Sequence, residues 1–179
     1  DGELVEAEQL KNQRISGLYA AKIVNIVGDP SGPRAVSLIA IHQHGIPNQF
    51  PKEVLQEAEN INFSETVPRD DLTKIPFVTI DPSDARDHDD AVYAHADEDP
   101  SNRGGHVLWV AIADVAHFVK PGSALDKEAK KRGNSTYFAD RVVPMLPDRL
   151  SGDLCSIHEG VERPCLAVCM TIDKSGNKL

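Results

Sequence analysis

The alternation of apolar and polar residues predicts strands at the start of the chain. Residues 1–28 contain two short, partly alternating runs, DGELVEAEQL and GLYAAKIVNIVG, with a break that contains glycine between them. The next segment, GDPSGPR from Gly28 to Arg34, is rich in glycine and proline, which predicts a loop. The chain therefore opens as β-structure that ends in a loop.

Two short helices are predicted next. The apolar run from Ala35 to Ile46 fits a helix better than a strand, because Val36, Ile39 and Ala40 fall at helical spacing. The run FPKEVLQEAENI, which begins at Phe50, has a proline in its first turn followed by acidic residues, as is typical of an amphipathic helix.

From Ile75 onward the pattern predicts strands that are interrupted by one helix. FVTID, DAVYAHA and HVLWVAIADVAHFV read as strands; an acidic turn joins the first two, and the hairpin-like loop EDPSNRGG joins the second and third. Ser123 is placed to cap a helix, ALDKEAKKRG, that Gly133 ends. VVPMLP and CLAVCMTID complete an α+β pattern. The last residues, DKSGNKL, predict a hairpin turn without a following strand, so we expect the chain to be a piece of a longer protein.

Composition and charge narrow the class of protein. Of the 179 residues 40% are apolar and 26% are charged, and no apolar run approaches the roughly 20 residues that span a bilayer. The N-terminus lacks the pattern of a signal peptide. The net charge of −9 argues against a chain that coats nucleic acid with a basic surface. It leaves room for an enzyme that holds nucleic acid through bound cations.

The three cysteines favour a reduced, cytoplasmic setting over a disulfide scaffold, because their number is odd and all lie near the C-terminus. Cys165 and Cys169 share one face of a predicted strand, which favours a role as small core residues. A zinc site that also uses His158 is the alternative, although the sequence has no CxxC pair.

The candidate chemistry lies in IDPSDARDHDDAVY, residues 80–93, which carries five aspartates within ten residues. Carboxylate oxygens are the ligands that Mg²⁺ prefers, and two metals about 3.5–4 Å apart can clamp a phosphodiester. A solvated acidic turn is the alternative. A calcium-binding EF-hand is disfavoured, because the glycine required at its sixth position is absent when one counts from Asp81 or from Asp87.

Several blocks in this order resemble one known family. FVTIDPSDARDHDDAVY, HVLWVAIADVAHFV, PGSALDKEAKKRGNSTYF, DRVVPMLPDRLSGDLCSI and RPCLAVCMTID are similar to the RNB catalytic domain of the ribonuclease II/ribonuclease R family. The upstream DGELVEAEQL and DPSGPRAVSLIAIHQHGIP resemble the end of a cold-shock-like domain and the connector of bacterial ribonuclease R.

The resemblance implies a processive 3′→5′ exoribonuclease that uses Mg²⁺ to hydrolyse single-stranded RNA from its 3′ end to nucleoside 5′-monophosphates. By position it implies four catalytic, metal-binding aspartates: Asp81, Asp87, Asp89 and Asp90. Of these, Asp81 and Asp90 are expected to bind a first metal, with the other two completing the acidic site. Tyr137 matches an aromatic residue that stacks on a base. Asp84 and His88 match variable positions, so we expect Asp84 to support the ligands at most and His88 to be a bystander.

The resemblance also implies a domain organisation and its limits. Residues 1–28 would be the C-terminal part of a cold-shock/OB-like domain, residues 29–74 a connector with helices, and residues 75–179 the N-terminal half of the RNB domain, a mixed β-sheet with flanking helices. The second half of that domain, with the residues that bind the 3′-terminal phosphate, and the S1 domain lie outside this sequence, so the chain alone is expected to be inactive. A catalytically inactive RNA-binding adaptor is the alternative; neither reading involves a membrane.

Overall fold

The structure is a computed structural model that describes residues 2–32, 35–63, 67–83 and 85–179. The chain forms two compact units, one from residues 1–49 and 134–143, the other from residues 50–133 and 144–179. Among the described residues, helices and strands alternate irregularly and every strand pair is antiparallel. The predicted α+β class is confirmed.

The secondary-structure elements follow this order along the described parts of the chain: β1 (Leu4–Ile15), β2 (Leu18–Gly28), α1 (Ala35–Gln43), α2 (Lys52–Asn60), β3 (Asp90–Ala96), β4 (His106–Ala113), α3 (Val115–Phe118), α4 (Ala124–Arg132), β5 (Thr136–Tyr137), β6 (Val142–Val143) and β7 (Cys165–Ile172). A 3₁₀ turn at Pro100–Asn102 and a π-helical turn at Leu150–Leu154 supplement them.

The first unit begins with the β1–β2 hairpin. Ser16 and Gly17 form its two-residue turn, and both have positive φ, at 51° and 83°. Turns of this kind match the right-handed twist of the strands that they join. The β-structure predicted for residues 1–28 is therefore present over the residues that are described.

Helix α1 is present as predicted, and its buried residues include a serine. Ser37 and Ile41 are buried, whereas Val36 is 76% exposed. The hydroxyl of Ser37 donates a hydrogen bond to the carboxylate of Asp140 at 2.9 Å. The helical spacing of the apolar residues thus predicted the helix correctly.

The second unit is built on a three-stranded sheet of order β3-β4-β7. The loop between β3 and β4 is closed by Asn102, which is buried and donates from its side-chain amide to Asp97 at 2.8 Å and to the carbonyl of Ile172 at 3.0 Å. The predicted loop EDPSNRGG is thus confirmed, and a contact from β7 holds it.

Two predicted strands are shorter in the structure. In FVTID only Val78 pairs with the sheet, through two hydrogen bonds to Val92 of 2.9 and 2.8 Å. Pro76 cannot donate to a ladder, which limits pairing at that end. In HVLWVAIADVAHFV the strand ends at Ala113, because the carboxylate of Asp114 accepts from the N–H of His117 at 3.1 Å and caps helix α3.

The core of the second unit lies between helices α2 and α4 and the residues around the π-helical turn. Helix α4 begins and ends as predicted: Ser123 Oγ accepts from the N–H of Asp126 at 3.2 Å, and Gly133 follows the helix with a φ of 80°. The buried residues of this core are Val54, Ala58, Ala113, Phe118, Leu125, Ala129, Leu146, Leu150, Leu154 and Cys155.

The cysteines differ from the expectation of a shared core position. Cys165 is half-buried and Cys169 is exposed, whereas Cys155 is the buried one. The imidazole of His158 bonds to the carbonyl of Gly152 at 3.0 Å. Among the described residues no three His, Cys, Asp or Glu side chains form a group that could hold a metal, so the zinc alternative finds no support there.

The final residues form the turn that the sequence predicts, in which Asp173 accepts backbone hydrogen bonds from Ser175 and Asn177, both at 2.8 Å. Within the described ranges, none of the helices combines the length and apolar character that a membrane span requires.

Candidate active site

The aspartates of the acidic loop lie between the single bridge at Val78 and the start of β3. Asp81, Asp87 and Asp89 precede the strand, and Asp90 is its first residue. Asp84 lies outside the described residues. The described residues between Val78 and β3 belong to no helix or strand, so their conformation depends on contacts with the rest of the unit.

Backbone hydrogen bonds tie the end of the loop to two other segments. The carbonyl of His88 accepts from the N–H of Ile157 at 2.9 Å, and the carbonyl of Asp89 accepts from the N–H of Ala113 at 2.9 Å. The first donor follows the π-helical turn and the second ends β4. The loop is therefore held where the centre of the sheet meets the core.

The electrostatics of Asp89 place the four predicted aspartates in one neighbourhood. The pKa of Asp89 is raised above its ordinary value, first by partial desolvation and then by the charges of Asp87, Asp90 and Asp81. The nearby His88 acts in the opposite sense. Asp89 is nevertheless among the exposed residues, so solvent moderates the repulsion. A positive charge added here would relieve that repulsion.

His88, expected to be a bystander, contacts a predicted catalytic residue directly. Its Nδ1 lies 2.9 Å from Asp81 Oδ2 and 3.4 Å from the hydroxyl of Thr79. The hydrogen bond from His88 is the main reason that the pKa of Asp81 is lowered. The pKa of Asp81 is thus lowered and that of Asp89 raised within one loop.

The donor set fits a hard divalent cation, although the described side chains are not gathered as ligands. Four carboxylates supply the oxygens that Mg²⁺ prefers, and their mutual repulsion is the condition that a cation relieves. Among the described residues, however, no three His, Cys, Asp or Glu side chains form a metal-holding group. The assignment of Asp81, Asp87, Asp89 and Asp90 as ligands stays a prediction.

Tyr137 belongs to the other compact unit and is described there by itself. It forms strand β5 with Thr136, pairs with Val142 of β6, and is 64% exposed. A tyrosine ring exposed to this extent is able to stack on a base. Its role as an RNA contact stays a prediction.

Sequence reasoning missed Ser156. It is fully buried and contacts the acidic loop across 68 and 70 residues of sequence. A polar residue inside the run LCSI was the only local signal for it.

Comparison with known proteins agrees with this architecture. The RNB domain matches residues 69–179. Ribonuclease R of Vibrio parahaemolyticus is 48% identical over 161 residues, a match that covers 87% of this chain and 19% of the relative. The chain thus spans about a fifth of that relative's length.

Solved structures give the same result. The structure of Mycoplasma genitalium RNase R in complex with double-stranded RNA aligns with a TM-score of 0.83 at 30% identity, covering 99% of this chain and 32% of that chain. A yeast pseudonuclease aligns with a TM-score of 0.62 at 18% identity over 99% of this chain and 23% of its own, which shows the fold alone. The chain belongs to the RNB domain family.

Proposed function

We propose that the chain contributes the acidic catalytic loop of a metal-dependent 3′→5′ exoribonuclease that hydrolyses single-stranded RNA to nucleoside 5′-monophosphates. The observation that supports this best is the raised pKa of Asp89, which three neighbouring carboxylates help to produce. Carboxylates whose pKa values are shifted by burial and by neighbouring like charges are found often at catalytic sites. Family membership and the names of the relatives favour RNA as the substrate.

Mg²⁺ is the metal that we assign to the loop, with Asp81, Asp87, Asp89 and Asp90 as the residues that would hold it. When bound, such an ion neutralises charge on a phosphodiester and activates water. The chain's own contribution is to place the four carboxylates in one short loop and to orient Asp81 through its hydrogen bond with His88. Backbone hydrogen bonds from Ile157 and Ala113 hold the loop on both sides of the Asp89 side chain.

Two further assignments belong to the same proposal. Tyr137 would stack on a base near the 3′ end of the RNA, a contact worth about 1–3 kcal/mol. Residues 1–28, 29–74 and 75–179 would be the end of a cold-shock-like domain, a connector and the first half of the catalytic domain, in a cytoplasmic protein.

An adaptor that binds RNA without cleaving it is the second candidate. The likeness to a yeast protein described as a pseudonuclease shows that this fold is not confined to proteins described as nucleases. The retention of all four aspartates favours the enzyme, because an adaptor has no need to keep like charges together.

A chimaera separates these two candidates. Residues 69–179 would replace the matching segment of Vibrio parahaemolyticus ribonuclease R, and a 5′-labelled single-stranded RNA would be the substrate with Mg²⁺. Release of mononucleotides is expected from the enzyme. RNA binding without release by a folded chimaera would instead support the adaptor.

The 179-residue chain by itself should release few mononucleotides in the same assay. Orienting the scissile phosphate contributes roughly 7–11 kcal/mol to such reactions, and a net charge of −9 opposes RNA binding. Processive release by the chain alone would contradict this part of the proposal.

A further inference from the structure

Ser156 is a buried polar residue that lies against the acidic loop. Its side chain is fully buried. Its hydroxyl accepts a hydrogen bond from the N–H of His88 at 3.0 Å and donates one to the carbonyl of Arg86 at 3.1 Å. These two groups belong to the peptide units on either side of Asp87. One hydroxyl therefore joins both flanks of a predicted catalytic aspartate.

The neighbouring peptide units are held in a similar way. The carbonyls of His88 and Asp89, on either side of the Asp89 side chain, accept from the N–H groups of Ile157 and Ala113, both at 2.9 Å. The four peptide units from Arg86 to Asp90 thus each bond to a residue outside the loop. Ser156 supplies two of these four contacts from a single atom.

Such anchoring has a physical purpose in this loop. The charges of Asp87, Asp90 and Asp81 act against that of Asp89, so an unrestrained loop would let the carboxylates separate. A buried hydroxyl with both hydrogen bonds made resists this movement, because breaking either bond would leave a buried polar group unsatisfied.

We propose that Ser156 is a positioning residue whose hydroxyl fixes the backbone on both sides of Asp87 and so preforms the acidic loop for a divalent cation. The use of a cation rests on the proposed function, whereas the restraint of the backbone does not. A serine that only stabilises the core would affect unfolding and leave the loop of the folded chain unchanged.

The restraint is tested first in the wild-type 179-residue chain by amide hydrogen exchange. The N–H of His88 should be protected to an extent similar to those of Ile157 and Ala113, because all three donate within the same set of contacts. Exchange of the His88 amide at the rate of an exposed loop would overturn the proposal without the need for any variant.

The Ser156→Ala variant then tests the hydroxyl, with Ser151→Ala as the matched control. Ser151 lies in the π-helical turn that ends two residues before Ser156, and its hydroxyl bonds to the carbonyls of Leu146 and Pro147, both at 3.4 Å. Exchange at His88 should be about tenfold faster in Ser156→Ala and unchanged in Ser151→Ala. Equal exchange in both variants would overturn the proposal.

Mn²⁺ serves as the probe for the cation, and its binding is measured from the paramagnetic broadening of the amide signals of residues 87–90. Ser156→Ala should weaken Mn²⁺ binding by about 10–100-fold, as removal of a residue that supports metal ligands commonly does, while Ser151→Ala should bind as the wild type does. Wild-type affinity in folded Ser156→Ala would overturn the role of Ser156 in preforming the site.

The Mn²⁺ experiment on the wild-type chain tests the proposed function separately from the role of Ser156. If Mn²⁺ broadens none of these signals in the wild-type chain, the metal assignment made above is refuted. The exchange of His88 in the two variants still decides whether Ser156 holds the loop.

Discussion

Replacing Glu128 by glutamine should destabilise the second unit, because it removes one charge from a buried ion pair. The side chains of Glu128 and Arg132 are only 7% and 3% exposed, and Arg132 Nε donates to Glu128 Oε1 at 2.9 Å. The guanidinium also lies over the ring of Phe50, 3.7 Å from its centroid, and donates to the carbonyl of Pro144 at 3.0 Å. If Glu128 loses its charge, the guanidinium of Arg132 can reach solvent only by breaking its contacts with Phe50 and Pro144.

The expected magnitude follows from this burial. Removing one partner of a buried pair costs about 3–5 kcal/mol, and the isosteric glutamine places Glu128→Gln near the lower limit. For a chain of this size about 1 kcal/mol shifts the melting midpoint by roughly 2–4 °C. The midpoint should therefore fall by about 6–12 °C.

Thermal unfolding followed by the fluorescence of Trp109 measures the effect, since it is the sole tryptophan and lies in β4 of the second unit. Lys130→Gln is the matched control on the same helix. Lys130 is 73% exposed and pairs with Asp126 at 2.8 Å, a type of pair worth about 0.3–0.5 kcal/mol. A Glu128→Gln midpoint within about 2 °C of this control would refute the reasoning.

Three other predictions concern the site. Without divalent metal, Asp89→Asn should raise the melting midpoint at pH 7, because desolvation and then repulsion by neighbouring carboxylates raise the pKa of Asp89. This gain should shrink as the pH falls and vanish below the ordinary pKa of 3.8, where the acid is neutral in both the folded and the unfolded state. His88→Ala should raise the pKa of Asp81, measured by NMR titration of its carboxyl carbon, so the stability that Asp81 contributes above pH 3.8 should become smaller and should be lost at a higher pH. An unchanged titration would contradict the hydrogen bond. Tyr137→Ala in the chimaera should weaken binding of single-stranded RNA by about 1–3 kcal/mol in filter binding, and unaltered affinity would remove Tyr137 from the RNA contact.

Local signals in the sequence predicted the elements whose ends depend on neighbouring residues. Ser123 and Gly133 delimit α4 because a cap needs only the adjacent turn. Asp114 carries the same kind of signal, but the apolar run around it reads continuously as a strand, so α3 was missed. The spacing of Val36 and Ile39 predicted a helix without revealing that Ser37 would face inward to reach Asp140.

The aspartates of the candidate site could be predicted from the sequence, but the residues that hold their loop in place could not. The aspartates stand together in the sequence, so a charged loop before a strand could be expected from the residues alone. Ser156 meets Arg86 and His88 only because the chain folds back over about seventy residues, and no periodicity records such a contact. The opposite pKa shifts of Asp81 and Asp89 likewise arise from contacts that the fold creates.

Single-turnover cleavage by the chimaera tests the central claim, that the acidic loop carries the hydrolysis, most directly. Asp89→Asn is compared with Asp99→Asn, an aspartate beyond the opposite end of β3, and RNA binding is measured separately by filter binding. We predict that Asp89→Asn lowers the cleavage rate on the order of 100-fold or more while RNA binding persists, and that Asp99→Asn cleaves as the wild type does. Near-normal cleavage by Asp89→Asn would contradict the account.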